Sequence, residues 1–180
     1  IRGNTIQNLT NSGNNAFTLQ DASVIGICER LTSGTFGAQI TANIIRSLSN
    51  TYSATATNTR VIGIYFVAPS SGSAPTILQR NWIYDLSTAT GAGTINGMLG
   101  SAGTVANLYN NMISLGTSQT VNATINGIEQ TGGGITGYFN TVRITGTAAS
   151  GSSNAIAYHY NIGVSNALIL RNNLFYNDRT

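Results

Sequence analysis

Short stretches of alternating apolar and polar residues recur along the chain at a nearly regular interval. The pattern Asn-x-apolar occurs six times, with steps of 39, 38, 30, 29 and 33 residues between the asparagines. These are Asn4, Asn43, Asn81, Asn111, Asn140 and Asn173. The column two positions after the asparagines contains Ile6, Ile45, Ile83, Ile113, Val142 and Phe175. From the second asparagine onward, the column three positions before it contains Ile40, Leu78, Leu108, Gly137 and Leu170. Since all but Gly137 are apolar, both columns are predicted to face the interior of a repeated structure.

A second motif lies between the asparagines and has almost the same period. The segments VIGI, VIGI, INGM, INGI and AIAY align on Gly26, Gly63, Gly97, Gly127 and Ala157, at steps of 37, 34, 30 and 30 residues. Two independent motifs with nearly one period indicate a repeat architecture rather than chance similarity.

Each repeat is predicted to contain two short strands separated by turns. Ile, Val, Tyr, Phe and Thr fill the alternating stretches and suit a pleated sheet. Gly- and Ser-rich segments at residues 32–37, 69–75, 100–103, 131–134 and 147–153 favour turns, and no stretch predicts an amphipathic helix of ten residues. A strand-only unit of roughly thirty residues cannot bury its apolar face alone, so the units are expected to stack.

Two segments carry a resemblance to a known family. INGMLGSAGTVANLYNNMI at residues 95–113 and ALILRNNLFY at residues 167–176 resemble the loose coil consensus of the pectin-lyase-like superfamily. The resemblance implies an all-β fold, a right-handed parallel β-helix (β-solenoid) of about five to six coils forming a single domain over residues 1–180. It also implies an alternative function, since many members cleave or bind polysaccharide.

The style of the repeats gives a second, weaker resemblance. YFNTVRITG at residues 138–146 and RNNLFYND at residues 171–178 resemble repeat segments of large bacterial surface proteins. The chain also opens inside a repeat, without an initiator Met. We therefore expect a segment of a longer chain that is secreted or displayed at the cell surface.

Charge and cysteine content exclude several function classes. Only 7% of residues are charged, against roughly 25% in an average globular domain, and the net charge of +3 comes from scattered arginines with no lysine. A nucleic-acid-binding protein would normally cluster its positive charge. The single Cys28 cannot form a disulfide within the chain, and no apolar run approaches the roughly 20 residues of a membrane span. Neither nucleic-acid binding nor membrane insertion is expected.

Candidate catalytic residues are few. The carboxylates are Asp21, Glu29, Asp85, Glu129 and Asp178, and the repeat places no pair at the roughly 5 to 9.5 Å that glycoside hydrolysis needs. The one histidine, His159, falls in an outward column with Cys28, Tyr65, Leu99 and Glu129, and it is expected at the surface without an orienting carboxylate in register. No catalytic residue, metal site or cofactor is predicted. A polysaccharide lyase or hydrolase that uses His159 or Glu129 is kept as an alternative, because Glu129 is expected one coil away from His159.

The recurring asparagines are predicted to be structural. Equivalent residues of stacked coils lie about 4.8 Å apart, so an amide at a repeated bend can bond to the coils on either side. An outward binding face is the more plausible functional feature, because aromatic rings and arginines suit a glycan or a neighbouring protein. The candidate ligand-binding residues are Arg46, Trp82, Tyr84, Tyr109, Tyr138, Arg143 and Tyr176. The expected partners are polysaccharide, a cell-surface protein, or further coils of the same parent chain.

Threonine-rich tracts raise one more alternative, an ice-binding solenoid. The tracts cover residues 55–59, 87–90 and 119–124. When the repeats are aligned on the motif glycine, Thr90 aligns with Thr120, and Thr94 aligns with Thr124. An ice-binding array needs threonine in the same column coil after coil, and here the register continues over two coils only.

Overall fold

Three parallel β-sheets run side by side along the molecule, and the chain passes through each of them once per turn. The computed structural model describes residues 1–14, 21–30, 36–54, 58–67, 74–101, 105–148, 154–162 and 167–180. The strands are β1 (Thr5–Asn11), β2 (Val24–Arg30), β3 (Gln39–Thr41), β4 (Ile44–Asn50), β5 (Arg60–Val67), β6 (Thr76–Gln79), β7 (Trp82–Thr88), β8 (Thr94–Gly100), β9 (Val105–Tyr109), β10 (Met112–Leu115), β11 (Thr124–Gln130), β12 (Gly134–Tyr138), β13 (Thr141–Ile144), β14 (Ala155–Tyr160), β15 (Leu168–Arg171) and β16 (Leu174–Asn177). This is a parallel β-solenoid, as the repeats predicted.

The sheets define the walls of the solenoid. One contains β1, β4, β7, β10, β13 and β16, a second β2, β5, β8, β11 and β14, and the third β3, β6, β9, β12 and β15. All neighbouring strands within them pair in parallel. The second and third sheets each have five strands separated by four steps, so the molecule has about four turns, slightly fewer than the five to six coils expected.

Each coil contains three strands, and the sequence prediction of two strands per repeat is wrong. The predicted second strand is divided by a sharp bend immediately before each recurring asparagine. The residue preceding that asparagine has a positive φ in every coil: Gly3, Ala42, Arg80, Asn110, Phe139 and Asn172, at 52° to 67°. This left-handed conformation turns the backbone from the third sheet into the six-stranded sheet.

The interior is filled by ladders of identical or similar apolar side chains. Ile45, Ile83, Ile113 and Val142 stack in register, and all four are buried. The column three residues before the asparagines is also buried in the middle coils, at Ile40, Leu78 and Leu108. Both predicted interior columns are therefore confirmed. Each fully buried Ile or Leu side chain stabilises the fold by about 1.5–3 kcal/mol.

The motif glycines allow the second sheet to approach the opposite wall closely. A Cβ atom on Gly97 would lie 2.5 Å from the carbonyl oxygen of Gly127 and 2.6 Å from Cγ2 of Ile113. Gly63 meets the same two kinds of neighbour one coil earlier. The repeated glycine is thus explained by the inward packing of the recurring isoleucine, which leaves no room for a side chain.

A smaller apolar cluster covers the outer side of the second sheet. It is formed by Ile62, Tyr65, Val67 and Leu99, with Ala22 and Ile25 packed against it. The column of Tyr65 and Leu99 faces away from the main core as predicted, but the two side chains are at most 2% exposed. Several predicted turns, among them those at residues 32–37 and 69–75, include residues outside the described ranges. In the described part of the chain, no helix is long and apolar enough to cross a membrane.

Candidate functional site

The outward side chains of the six-stranded sheet form one continuous column. Gln7, Arg46, Tyr84, Ser114, Arg143 and Tyr176 are register partners from β1 to β16. We call this column the outer ladder. Its residues are half-buried or exposed, which confirms the predicted outward direction. The small side chain of Ser114 lies between the larger Tyr84 and Arg143, so the surface is lowest there.

The geometry of the six-stranded sheet also changes between β7 and β10. Asn8, Ser47 and Asp85 have positive φ values of 60°, 53° and 57°, and the register of β1, β4 and β7 skips them. The bulge inserts an extra residue, so that Ile83 and Leu86 both reach the core. In β10, Ile113 and Leu115 reach the core by ordinary alternation. The series of bulges in β1, β4 and β7 therefore ends at Asp85.

The step between β7 and β10 creates a depression of about 500 Å³. It is lined by Tyr84, Asp85, Ser114, Thr117 and Ser118. The strand β10 is short because the chain turns away at Gly116, which has a φ of 94°. We call this feature the central depression. It offers the ring of one tyrosine, one carboxylate and three serine or threonine hydroxyl groups on a single side of the sheet.

The turn that forms one wall of the central depression is held from behind by two buried side chains. The side chain of Gln119 accepts from the backbone N–H of Thr88 at 2.8 Å and donates to its carbonyl at 3.0 Å, in place of strand pairing. The guanidinium of Arg179 donates to the carbonyls of Gly116 at 3.0 Å and Gln119 at 2.9 Å. Burial lowers the pKa of Arg179. These bonds hold both ends of the turn that contains Thr117 and Ser118.

An aromatic pair borders the central depression. The ring centroids of Trp82 and Tyr84 are 4.6 Å apart with an interplanar angle of 34°. Trp82 is 43% exposed, and its face is accessible beside the half-buried Tyr84. The predicted outward orientation of both rings is confirmed.

Two smaller depressions adjoin the central one. The first, of about 270 Å³, is lined by Asn8, Thr10, Ser47, Ser49, Asp85 and Ser87. The second, of about 230 Å³, is lined by Trp82, Met112, Ile113, Ser114, Thr141 and Arg143. We call them the hydroxyl depression and the arginine depression. In the hydroxyl depression, Ser47 donates to Asp85 at 2.7 Å, which orients the carboxylate.

The structure divides the predicted ligand-binding residues into groups. Trp82, Tyr84 and Arg143 surround Ser114, whereas Arg46 donates to Gln7 at 2.7 Å further along the outer ladder. The hydroxyl of Tyr176 donates to Asp178 at 2.9 Å, and this bond raises the pKa of Tyr176.

Tyr109 and Tyr138 lie on a different wall. They are register partners in β9 and β12, before the Asn bend, and their rings stack at 5.7 Å with an angle of 11°. They form a separate aromatic patch on the third sheet and do not line any of the three depressions.

Sequence reasoning missed several residues of the depressions. Ser114 is not among the candidate ligand-binding residues, and Asp85 is there only as a carboxylate without a partner. Thr117 and Ser118 were not singled out. A signal was present, because Leu86 follows Asn81 by five residues whereas Leu115 follows Asn111 by four. This shorter spacing marks the coil from which the bulge is absent.

The second sheet carries a polar cluster on its outer side. Glu129 is 5% exposed, and its Oε2 accepts from Nδ2 of Asn96 at 2.6 Å and of Asn126 at 3.1 Å. Its Oε1 lies 3.5 Å from Nδ1 of His159. The expectation that His159 lacks a carboxylate in register is wrong, since the two residues are direct partners in β11 and β14. His159 is also partly buried, with its side chain 32% exposed.

A charged group lies near this cluster, and a thiol lies further along the same sheet. Arg60 is in the same sheet, and burial lowers its pKa while the nearby Glu129 raises it. Cys28 is exposed at the far end of the column, three strands from Glu129, and burial raises the pKa of its thiol. Among the residues that the structure describes, no three His, Cys, Asp or Glu side chains are grouped closely enough to hold a metal ion.

Among the residues that the structure describes, the threonines do not form the array that ice binding needs. Thr94 and Thr124 are register partners, but Thr90 is 1% exposed and its hydroxyl donates to the carbonyl of Ala54 at 3.1 Å. Thr90 therefore does not share a surface with the exposed Thr120. Residues 55–57 of the first threonine tract lie outside the described ranges.

Comparison of the chain with protein-family models, curated proteins and solved structures found no match in any of the three. The β-solenoid fold is shown by the strand pairing, and the resemblances to the pectin-lyase-like superfamily and to bacterial surface proteins remain resemblances.

Proposed function

We propose that this β-solenoid is a structural and adhesive segment that binds carbohydrate through the outer ladder, around the central depression. The observation that carries the proposal is the pairing of Trp82 and Tyr84 beside a depression lined with hydroxyl groups and Asp85. Aromatic faces pack against the C–H faces of sugar rings, while carboxylate and hydroxyl groups bind sugar hydroxyls. This combination supports a sugar more than a protein surface, which would favour a larger apolar centre.

The rigidity of the scaffold supports binding rather than turnover. The aromatic rings and the serines stand on paired strands, and the turn at Thr117 is fixed by Gln119 and Arg179. A site that needs no ordering on binding loses less conformational entropy. We accordingly assign the segment a non-catalytic role in a secreted or cell-surface bacterial protein, in keeping with its low charge and its repeat style.

A glycan array tests the proposal. The wild-type chain is expected to bind a restricted set of glycans, and Trp82→Ala with Tyr84→Ala to lose that binding. Phe36→Ala is the matched control, because Phe36 is 76% exposed and does not line any of the three depressions. Glycan binding that is unaffected by the double substitution would refute the proposed face, and so would the absence of binding to any glycan.

A second candidate function, polysaccharide cleavage, is favoured by the contact of His159 with Glu129. A carboxylate held by two amides can orient an imidazole as a general base. The two residues supply one carboxylate, whereas most glycoside hydrolases use two. This function predicts that the chain releases reducing or unsaturated sugars and that Glu129→Gln and His159→Gln abolish the release. Release that survives both substitutions, or no release by the wild type, would reject it.

A further inference from the structure

The segment that follows β16 is attached to the preceding coil by its backbone and by one buried side chain. The backbone N–H of Asp178 donates to the carbonyl of Ile144 at 3.1 Å. The backbone N–H of Thr180 donates to the carbonyl of Gly146 at the same distance, 3.1 Å. Asp178 and Thr180 are exposed, whereas Arg179 between them is only 7% exposed. The segment therefore pairs like a short added strand and inserts a single arginine into the molecule.

The guanidinium of Arg179 is surrounded by backbone carbonyl groups of two neighbouring coils. Its Nη1 donates to the carbonyl oxygen of Gly116 at 3.0 Å and to that of Thr145 at 3.4 Å. Its Nη2 donates to the carbonyl oxygen of Gln119 at 2.9 Å and to that of Val121 at 3.3 Å. Because a guanidinium carries two hydrogens on each Nη, these four bonds use all of them. We call the four carbonyl groups the arginine cage.

Two glycines leave room for the guanidinium inside the arginine cage. Gly116 and Gly146 have φ values of 94° and 91°, in the region that favours glycine. A Cβ atom would lie 3.3 Å from Nη1 of Arg179 if it were placed on Gly116, and 3.4 Å if it were placed on Gly146. Side chains at these positions would therefore press against the guanidinium. The size of the cage is matched to the group that it holds.

The turn that supplies most of the arginine cage is also held by bonds that do not involve Arg179. The backbone N–H of Gln119 donates to the carbonyl of Gly116 at 3.0 Å. Nε2 of Gln119 donates to the carbonyl of Val121 at 3.1 Å and to that of Thr88 at 3.0 Å. A carbonyl oxygen has two lone pairs, so that of Gly116 can accept from the turn and from a guanidinium at once. We therefore expect the cage to keep its shape without the Arg179 side chain.

The arrangement of the four oxygens favours a guanidinium over other cations. They divide between two nitrogen atoms of one planar group, and a rigid fork of N–H donors matches such a set. An ammonium group has three N–H bonds that diverge from one nitrogen, so it cannot donate to four carbonyls. A potassium ion would need all four oxygens to converge on one point.

We propose that the arginine cage is a binding site for a guanidinium group, preformed by the turn at residues 116–121 and selective against other cations. Its ligand is an arginine side chain on an extended segment, and in this structure the chain's own Arg179 occupies it. The paired backbone of Asp178 and Thr180 directs that side chain into the cage. Guanidinium binding at this site is independent of carbohydrate binding on the outer ladder.

Chemical rescue tests whether the cage binds a free guanidinium ion. Arg179→Ala removes the guanidinium and leaves the backbone of the segment in place, and we expect it to melt several degrees below the wild type. Addition of about 20 mM ethylguanidinium chloride is expected to raise the melting temperature of this variant by about 2–4 °C. The wild type, whose cage is already filled, is expected to show no rise. Arg30→Ala, which changes an exposed arginine of β2, is the matched control and is also expected to show none.

Other cations separate a guanidinium site from a general cation cage. Ethylammonium and potassium chlorides at the same concentration are expected to raise the melting temperature of Arg179→Ala less than ethylguanidinium does. Arg179→Lys keeps the charge but lacks the planar fork, so it is expected to melt closer to Arg179→Ala than to the wild type. Equal rescue by the three cations, or an Arg179→Lys variant as stable as the wild type, overturns the selectivity. The absence of rescue by ethylguanidinium overturns the site.

A measurement on the wild type decides the question if Arg179→Ala does not fold. In nitrogen NMR of an isotope-labelled chain at low temperature, hydrogen bonds to all four Nη hydrogens slow the rotation of the Nη groups and their exchange with water. Arg179 is therefore expected to give separate Nη signals, whereas the exposed Arg30 gives one averaged signal. An averaged signal from Arg179 would overturn the proposal.

Discussion

The side-chain oxygen of Asn111 accepts two hydrogen bonds from Asn81, one from the backbone N–H at 3.1 Å and one from Nδ2 at 3.0 Å. The Nδ2 group of Asn111 in turn donates to the carbonyl of Leu78 at 2.9 Å and to Oδ1 of Asn140 at 2.9 Å. The same pattern joins the asparagines from Asn4 to Asn173. The hydrogen bonds expected between the asparagines of neighbouring coils are present, and they satisfy the backbone at the bend before the strands of the six-stranded sheet.

Replacing Asn111 tests how much the ladder stabilises the fold. Asn111→Leu leaves the backbone N–H and one amide hydrogen of Asn81, and the carbonyl of Leu78, without their partners in a buried position. At about 1–3 kcal/mol for each unsatisfied group, we expect the free energy of unfolding to fall by about 3 kcal/mol or more in urea denaturation. Asn58→Leu is the control, because Asn58 is exposed. A loss of less than about 1 kcal/mol would contradict the role of the ladder.

Replacing Gly97 tests the close approach of the sheets. The Cβ of Gly97→Ala would collide with the Gly127 carbonyl oxygen, which belongs to a paired strand and has no room to move. Overpacking of this kind costs about 1–3 kcal/mol. Gly91→Ala is the matched control, because its Cβ would meet nothing closer than 3.8 Å. Equal stability of the two variants, compared by thermal unfolding, would show that the motif glycine has another origin.

The fold could be predicted because the sequence features that determine it recur periodically. Every coil repeats the same asparagine and the same apolar columns, so the stacked, repetitive architecture follows from the spacing alone. The third strand of each coil could not be predicted in this way, because it depends on positive φ at residues as different as Ala42, Arg80 and Phe139. No residue type at that position announces the bend.

The proposed binding face could be predicted only in part, because its shape depends on an irregularity in the repeat. The outward direction of Trp82 and Tyr84 follows from alternation. The central depression instead arises where the bulge at Asp85 ends and β10 turns away at Gly116. Tyr109 and Tyr138 are separated from this face by the bend before each recurring asparagine. A repeat of two strands does not include that bend. The contact of Glu129 with His159 depended on exact register between two coils.

Tyr158 makes the stability of the last coil sensitive to alkaline pH. Its hydroxyl donates to Oε1 of Gln130 at 2.6 Å, and burial raises the pKa of Tyr158. A raised pKa in the folded state stabilises the protein below the unfolded value of about 10, and this stabilisation is lost as the pH rises through the folded value. Urea unfolding is therefore expected to show a larger loss of stability from pH 8 to pH 11 in the wild type than in Tyr158→Phe. Equal losses would contradict the burial of the phenol.

Arg143 is expected to favour anionic ligands. Its side chain is exposed in the arginine depression, where Arg143→Gln removes a positive charge without opening the core. Affinity for a sulfated or uronate-containing oligosaccharide is expected to fall about two- to fivefold at low salt, and the effect to weaken as salt screens the charge. Neutral glycans are expected to bind as before. Arg30→Gln, an exposed arginine on another sheet, is the control.

The most direct test of the account uses the fact that the chain contains one tryptophan. Trp82 lies on the proposed face and is 43% exposed, so its fluorescence reports on that face alone. Titration with a glycan retained on the array is expected to change the emission of Trp82 in a saturable way and to protect it from acrylamide quenching. Bound glycan, established by calorimetry, that leaves both the emission and the quenching of Trp82 unchanged would place the ligand elsewhere and contradict the account.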